Sequence, residues 1–132
     1  MAIIYKSGIM PDIEQVIDLY NSSGIKRPTA DFERTRKMYS NSNLLVTAWD
    51  EDKLVGIARS LTDFCYCCYL SDLAVRMEYQ KQGIGKELIR LTQIAIGEQT
   101  TLLLLSAPSA MEYYPKLGFQ KVENGFIIPR KK

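Results

Sequence analysis

The chain contains no histidine, which removes Ser-His-Asp and Cys-His nucleophilic chemistry together with the ordinary neutral-pH general base. Any protons must be moved by other groups. Cysteine is scarce, three residues crowded into Cys65-Tyr66-Cys67-Cys68. An odd count without distant partners suits a reducing compartment rather than a disulfide framework. On a strand, Cys65 and Cys67 face one way and Cys68 the other, so they do not converge on one zinc ion. Buried structural thiols and no metal are the expectation. Long apolar runs are missing too: the densest, residues 102–105, falls far short of the roughly 20 residues of a membrane span. Residues 1–10, broken by Lys6, Ser7 and Gly8, do not read as a targeting segment, so the expected location is cytoplasmic and no membrane partner is expected. Charge of either sign is barely in excess, with 17 Lys and Arg against 15 Asp and Glu for a formal +2. That balance gives no field for nucleic acid, and an anionic partner would have to be bound locally.

What is present is ordinary soluble-domain material: 132 residues, 46% hydrophobic, 24% charged and 10% aromatic. This suits a single domain over 1–132 that buries roughly two thirds of its unfolded surface without disulfides. The apolar periods predict a strand over 2–7, a helix over 11–21 with Ile13, Val16, Ile17 and Tyr20 on its stripe, and a second helix over 31–39. Strands follow at 44–49 and 54–61 around an acidic turn, and a third at 66–75. The period then lengthens to about 3.6, placing Ile84, Leu88, Leu91, Ile94 and Ala95 on the buried stripe of a helix that stops at Gly97. A strand at 100–105, a short helix at 108–117 and a last hairpin (119–122 with 126–128) turned at Asn124-Gly125 complete the order βααβββαβαββ. The fold class is therefore mixed α/β, without internal repeat or linker.

Chemistry concentrates where the third strand runs through a glycine-containing loop into a helix, from Leu70 to Leu88. The first N–H groups of a helix have no intrahelical acceptor and lie at the positive end of its dipole, so an anion fits there, and Gly83 and Gly85 allow close approach. Lys81 and Lys86 add charge. A Rossmann fingerprint fails for want of a third glycine. A Walker A loop fails because Gln80 stands at the first glycine and Glu87 follows Lys86 where Ser or Thr should be.

The stretch Gln80-x-x-Gly83-x-Gly85, preceded by Leu73-Ala74-Val75 and Tyr79, resembles the acyl-CoA signature of the GCN5-related N-acetyltransferase (GNAT) family. A second segment, Ala110 to Phe119, carries the family-like Tyr114-x-x-x-Gly118-Phe119. The resemblance covers essentially the whole chain and implies the acyl-CoA N-acyltransferase fold. It also implies acetyl-CoA as co-substrate and acetyl transfer to a primary amine, on a small molecule, an amino-acid derivative or a protein. It assigns cofactor binding to Leu73, Ala74 and Val75 and to Gln80, Lys81, Gln82, Gly83, Ile84, Gly85 and Lys86. Leu73 N–H becomes the oxyanion donor and Val75 N–H a pantetheine donor, because the strand carrying them splays from the next. Tyr114 takes the general-acid position, while Tyr113, about 100° round the helix, should turn into packing.

The base is open among Asp72, Glu78, Asp63 and ordered water. Alternation sets Asp72 and Leu73 on opposite faces, and Asp72 is also readable as a charge that fixes the strand splay. Two positions depart from the family pattern: Met77 replaces a frequent proline, and Ala107 stands where many members have a cofactor-binding asparagine. Arg27-Pro28, Arg59, Thr62-Asp63 and Asp72, in that order, resemble plastid-type and bacterial acetyltransferases related to arylalkylamine acetylation. Acceptor specificity is expected from the 21–29 connection and the final hairpin. Lys26 and Arg27 read either as a steering pair for an acidic acceptor or as solvated charges, and Arg130, Lys131 and Lys132 as a solvated basic end. Small members of the family often pair, so homodimer and monomer both stay open. The rival reading is a CoA-binding or partner-regulating module that has lost catalysis on the same fold.

Overall fold

In the computed structural model, which describes residues 2–132, five strands form one sheet in the order β1-β2-β3-β4-β5. Strands β1 (Ile4–Ser7), β2 (Leu44–Asp50), β3 (Lys53–Thr62) and β4 (Cys67–Val75) pair antiparallel in succession, and β5 (Thr101–Leu103) lies parallel to β4. A parallel neighbour needs a crossover, and α3 (Ile84–Ile96) supplies it. Its Ile84, Leu88, Ile89 and Ile96 pack on Val46, Ala48, Val55, Ala58 and Leu70, forming the core of one face. On the other face, Val16, Leu19 and Tyr20 of α1 (Ile13–Ser23) and Tyr39 of α2 (Phe32–Ser40) pack on Leu45, Leu54, Ile57 and Ala74.

Local signals place these helices. Asp31 caps α2 through its carboxylate, which accepts the Arg34 N–H at 3.0 Å. The stripe of α3 differs from the expected one: Thr92 and Ile96 are buried while Ile94 is exposed. Thr92 tolerates burial because its hydroxyl donates to the Leu88 carbonyl at 2.8 Å.

The feature that governs the site is a β-bulge. Arg59 pairs with Asp72 but Ser60 pairs with Leu70, leaving Ser71 as the extra residue on β4. The insertion reverses the parity of the strand, so Cys68 and Leu70 face α3 before it and Leu73 and Val75 face α3 after it. Asp72 and Ala74 are thereby turned towards α1 and α2. The cysteines follow the same geometry. Cys68 is buried, but Cys65 and Cys67 are exposed, contrary to the expectation of three buried thiols.

A one-turn helix α4 (Tyr113–Lys116) follows β5 after a 3-10 turn at Pro108–Ala110. The expected hairpin over 119–122 and 126–128 is not formed among the described residues. A hairpin needs a face to bury, and here every residue from Gln120 onward is exposed, Phe126 at 99% and Ile128 at 96%.

Candidate active site

Strand β4 diverges from β5 after a short ladder. Cys67, Cys68 and Tyr69 pair with Thr101, Leu102 and Leu103, and the pairing ends there although β4 continues to Val75. Just past the strand, the Arg76 N–H donates to the Val55 carbonyl of β3 at 2.9 Å. Successive backbone amides point to opposite edges of a strand, so the N–H groups of Leu73 and Val75 point away from β3 into the opening beyond β5. The Val75 carbonyl, on the same edge, accepts the side-chain amide of Gln80 at 2.9 Å.

The loop between β4 and α3 returns on itself through two left-handed residues, Lys81 (φ 65°) and Gly83 (φ 84°). A Cβ at Gly83 would meet nothing within 4 Å, so glycine is required there by backbone conformation rather than by space. Gly83 stands at the N-cap of α3, with no side chain capping the helix. The first helical bond is from Glu87 N–H to the Gly83 carbonyl at 3.1 Å. The N–H groups of Ile84, Gly85 and Lys86 therefore lack helical acceptors, at the positive end of a 13-residue helix. Gln82 braces the loop by donating to the Glu78 carbonyl at 3.4 Å. Beside this turn lies a cavity of about 210 Å³, lined by Gly83, Lys86, Ile89 and Leu117 among others. A more open hollow near Asp18 and Arg76 lies on the α1 side, away from these groups.

Tyr114 is half-buried, its ring edge-on to Tyr113 at 5.3 Å and to Phe119 at 5.5 Å between centroids. Phe119 reaches it because Gly118, at φ 94°, turns the chain back after α4. Burial pushes the Tyr114 phenol above its ordinary value, and the neighbouring Tyr113 adds to this. Tyr113 does not turn into packing as expected. It is 40% exposed, and its hydroxyl lies against Gly85 at the first turn of α3. A single-turn helix beginning at Tyr113 gives the sequence no period from which to read its direction.

Asp72 is fully buried. Its oxygens accept from Arg59 Nε at 2.5 Å, from Tyr20 Oη at 2.7 Å and from Arg27 Nε. Tyr20 and Tyr39 are joined hydroxyl to hydroxyl behind it, and the Arg59 guanidinium sits over the Tyr39 ring at 5.6 Å. Burial raises the Asp72 pKa, but the Arg59 hydrogen bond and the two guanidinium charges outweigh it and hold the carboxyl below its usual range. Such a carboxylate is a weak base, turned away from the face that carries Leu73. Among the bases left open, the geometry speaks against Asp72: its oxygens already accept three hydrogen bonds, and it faces α1 and α2. The partners Tyr20 and Tyr39 lacked any sequence signal of this role, since Tyr20 sits on an apolar stripe and Tyr39 closes a largely polar helix.

The other carboxylates considered are engaged as well. Asp63 accepts the N–H groups of Cys65, Tyr66 and Cys67, which hold its carboxyl at about 2. Glu78 lies 3.4 Å from Lys53. The structure brings together Leu73, Val75, Gln80 and the Gly83–Lys86 turn, with α4 alongside, and leaves Asp63 at the distant β3–β4 turn.

Residues 17–127 match the family described as the acetyltransferase (GNAT) domain. An uncharacterized N-acetyltransferase, ycf52, of Pyropia yezoensis is 28% identical over 90% of this chain and 71% of its own length. The chloroplastic GCN5-related N-acetyltransferase 2 of Arabidopsis thaliana is 34% identical over 57% of this chain and 30% of its own. Among solved structures, a Staphylococcus aureus protein described as a probable acetyltransferase superposes with a TM-score of 0.82 at 25% identity, covering 98% of this chain and 100% of that one. A GNAT family acetyltransferase of Streptococcus pneumoniae gives 0.78 at 25% identity, covering 99% and 100%. With its β4–β5 opening and uncapped α3 in place, the chain belongs to the GNAT family of N-acetyltransferases.

Proposed function

We propose that this N-acetyltransferase moves an acetyl group from acetyl-CoA directly to a primary amine in the opening between β4 and β5. The observation that carries the reading is a run of unpaired backbone donors along one strand edge and the helix that follows it: Leu73 and Val75 N–H on β4, and the free N–H groups of Ile84, Gly85 and Lys86 at the start of α3. The residues fit the cofactor. The uncapped turn, with Lys81 and Lys86 beside it, suits a pyrophosphate, and the β4 edge suits the amides of a pantetheine arm. Acetyl-CoA supplies an acyl group already activated as a thioester.

Leu73 N–H donates to the carbonyl oxygen as negative charge gathers on it. A donor of this kind is worth roughly 3 to 4 kcal/mol of barrier. The amine lone pair forms the new C–N bond as the C–S bond breaks, Tyr114 donates its proton to the departing sulfur, and the proton then lost from the acylated nitrogen returns through water to the Tyr114 phenolate. Against a thiol of pKa about 8.5, a phenol that burial holds above its ordinary value gives up its proton uphill, so much of its contribution is a hydrogen bond to the developing thiolate. The proton of the acceptor ammonium passes to water, since Asp72, Asp63 and Glu78 are each committed to other partners. Asp72 acts by position: with Arg27 and Arg59 it fixes the bulge that aims Leu73 N–H.

The test is release of free thiol from acetyl-CoA over a panel of small amines, amino-acid derivatives and peptides. Turnover with at least one amine, and a thermal stabilisation by acetyl-CoA larger than that by ATP or NAD, is the expected result. Tight CoA binding with no turnover on any amine would favour a binding module instead.

A further inference from the structure

Tyr113 occupies a place that the channel described above leaves unexplained. Its hydroxyl lies 2.9 Å from the point where a Cβ on Gly85 would stand, and Val75 Cγ2 lies 4.0 Å from the same point. Cβ positions on a helix tilt towards its N-terminus. The hydroxyl is therefore beside the uncapped first turn of α3, where that turn meets the end of β4. With 40% of the residue exposed, the phenol borders solvent. We propose that Tyr113 is a cofactor-binding residue whose hydroxyl donates to the pyrophosphate at the α3 N-terminus, completing a cradle otherwise made of backbone.

The proposal rests on acetyl-CoA as the co-substrate and adds the hydroxyl to its binding site. Three features support it. The backbone N–H groups of Ile84, Gly85 and Lys86 approach an anion from the helix end only, and a side-chain donor from α4 closes the cradle laterally. Burial raises the Tyr113 pKa, so the phenol keeps its proton at neutral pH and can donate it in a hydrogen bond. The contact also explains the small residue at 85. Gly85 lies within the helix, where alanine would be accepted on conformational grounds. What an added methyl would strike is the Tyr113 hydroxyl, the next ring atom being 3.9 Å away.

The experiment measures dissociation constants for CoA, dephospho-CoA and pantetheine by calorimetry on the parent, Tyr113→Phe, Gly85→Ala and the double variant. Tyr113→Phe should weaken CoA and dephospho-CoA equally, by about tenfold, the scale of a hydrogen bond to a charged group that water partly replaces. Pantetheine, which lacks the pyrophosphate, should be unaffected by the change. Gly85→Ala should weaken CoA in the parent by pushing the hydroxyl aside, yet add little to Tyr113→Phe, because the methyl then meets only a ring carbon at ordinary contact. Loss of CoA affinity without loss for dephospho-CoA would assign the hydroxyl to the 3′-phosphate and overturn the proposal. Unchanged or tighter CoA binding in Tyr113→Phe would overturn it too, as would additive losses in the double variant. If the parent itself fails to bind CoA, acetyl-CoA as co-substrate falls with it.

Discussion

Arg27, on the connection between α1 and α2, is ion-paired through Nε to Asp72 and donates from its Nη2 to the Ser71 carbonyl at 2.7 Å. One guanidinium thus grips the extra residue of the β4 bulge and the carboxylate next to it. The connection expected to select the acceptor is thereby tied to the strand that carries Leu73. Arg59 holds the same bulge from β3, through Asp72 at 2.5 Å and the Ser71 hydroxyl at 2.9 Å.

Removing Arg27 should loosen the acceptor side and the aim of Leu73 N–H, lowering kcat as well, and leave the pyrophosphate turn at the α3 N-terminus intact. Arg27→Ala is expected to raise KM for the amine about tenfold while the dissociation constant for CoA changes less than twofold, in steady-state kinetics and calorimetry run together. Arg27→Lys should recover only part of the loss, because one ammonium does not reproduce a planar fork that bridges carboxylate and carbonyl. Equal weakening of CoA and amine would mean that the pair supports the fold as a whole.

Asp72→Asn should destabilise by about 3 to 5 kcal/mol, since it leaves the buried Arg59 without its counter-charge. The pH dependence has a definite sign. The folded carboxyl titrates below its ordinary value, so between the folded and unfolded pKa values the unfolded chain holds more protons. The contribution is present above the unfolded value, near 4, and is lost as pH falls through the lower folded one. Denaturant melts of the parent from pH 5 downward should show this loss, and Asp72→Asn should lack that part of the slope.

Gly83→Ala should damage the cofactor site more than the fold. With φ at 84° and open space around its Cβ position, the substitution costs roughly 1 to 2 kcal/mol of backbone strain and nothing in packing. The loop can relieve that strain by leaving the left-handed region, which turns the free N–H groups away from the anion. Differential scanning should give a modest fall in Tm for the free protein, together with a loss of most of the further rise produced by acetyl-CoA. A fall in Tm with the acetyl-CoA increment intact would make Gly83 a folding residue only.

These features were unequally legible in the sequence. The Gly83 turn and α3 could be read because glycine spacing and a 3.6 period are local properties. The opposition of Asp72 and Leu73 was legible from alternation alone. The Ser71 bulge was not, since one inserted residue leaves no mark in an apolar run, and with it went the reversal of facing between Leu70 and Leu73. Tyr20 read as a core aromatic of its stripe, which it is, and Tyr39, also in the core, carried no reading of its own. Their second role, a hydroxyl pair behind Asp72, depends on three elements meeting. The Asn124-Gly125 turn signal was present, but pairing also needs a neighbouring strand and a face to bury, and neither is encoded in the turn.

Tyr114→Phe keeps the ring against Tyr113 and Phe119 and deletes only the hydroxyl. If the phenol serves the departing sulfur, kcat should fall about ten- to a thousandfold with CoA affinity nearly unchanged. Packing alone predicts no such split. An acid must be protonated to act, so the parent rate should decline on the alkaline side as Tyr114 ionises. Because burial raises this phenol, the decline should lie above the ordinary 10. The Phe variant should lose that limb and retain whatever acidic limb the amine imposes. Rate profiles measured on both proteins with the best amine of the panel decide the matter. A variant that turns over like its parent would mean that water protonates the sulfur and that Tyr114 is held by packing alone.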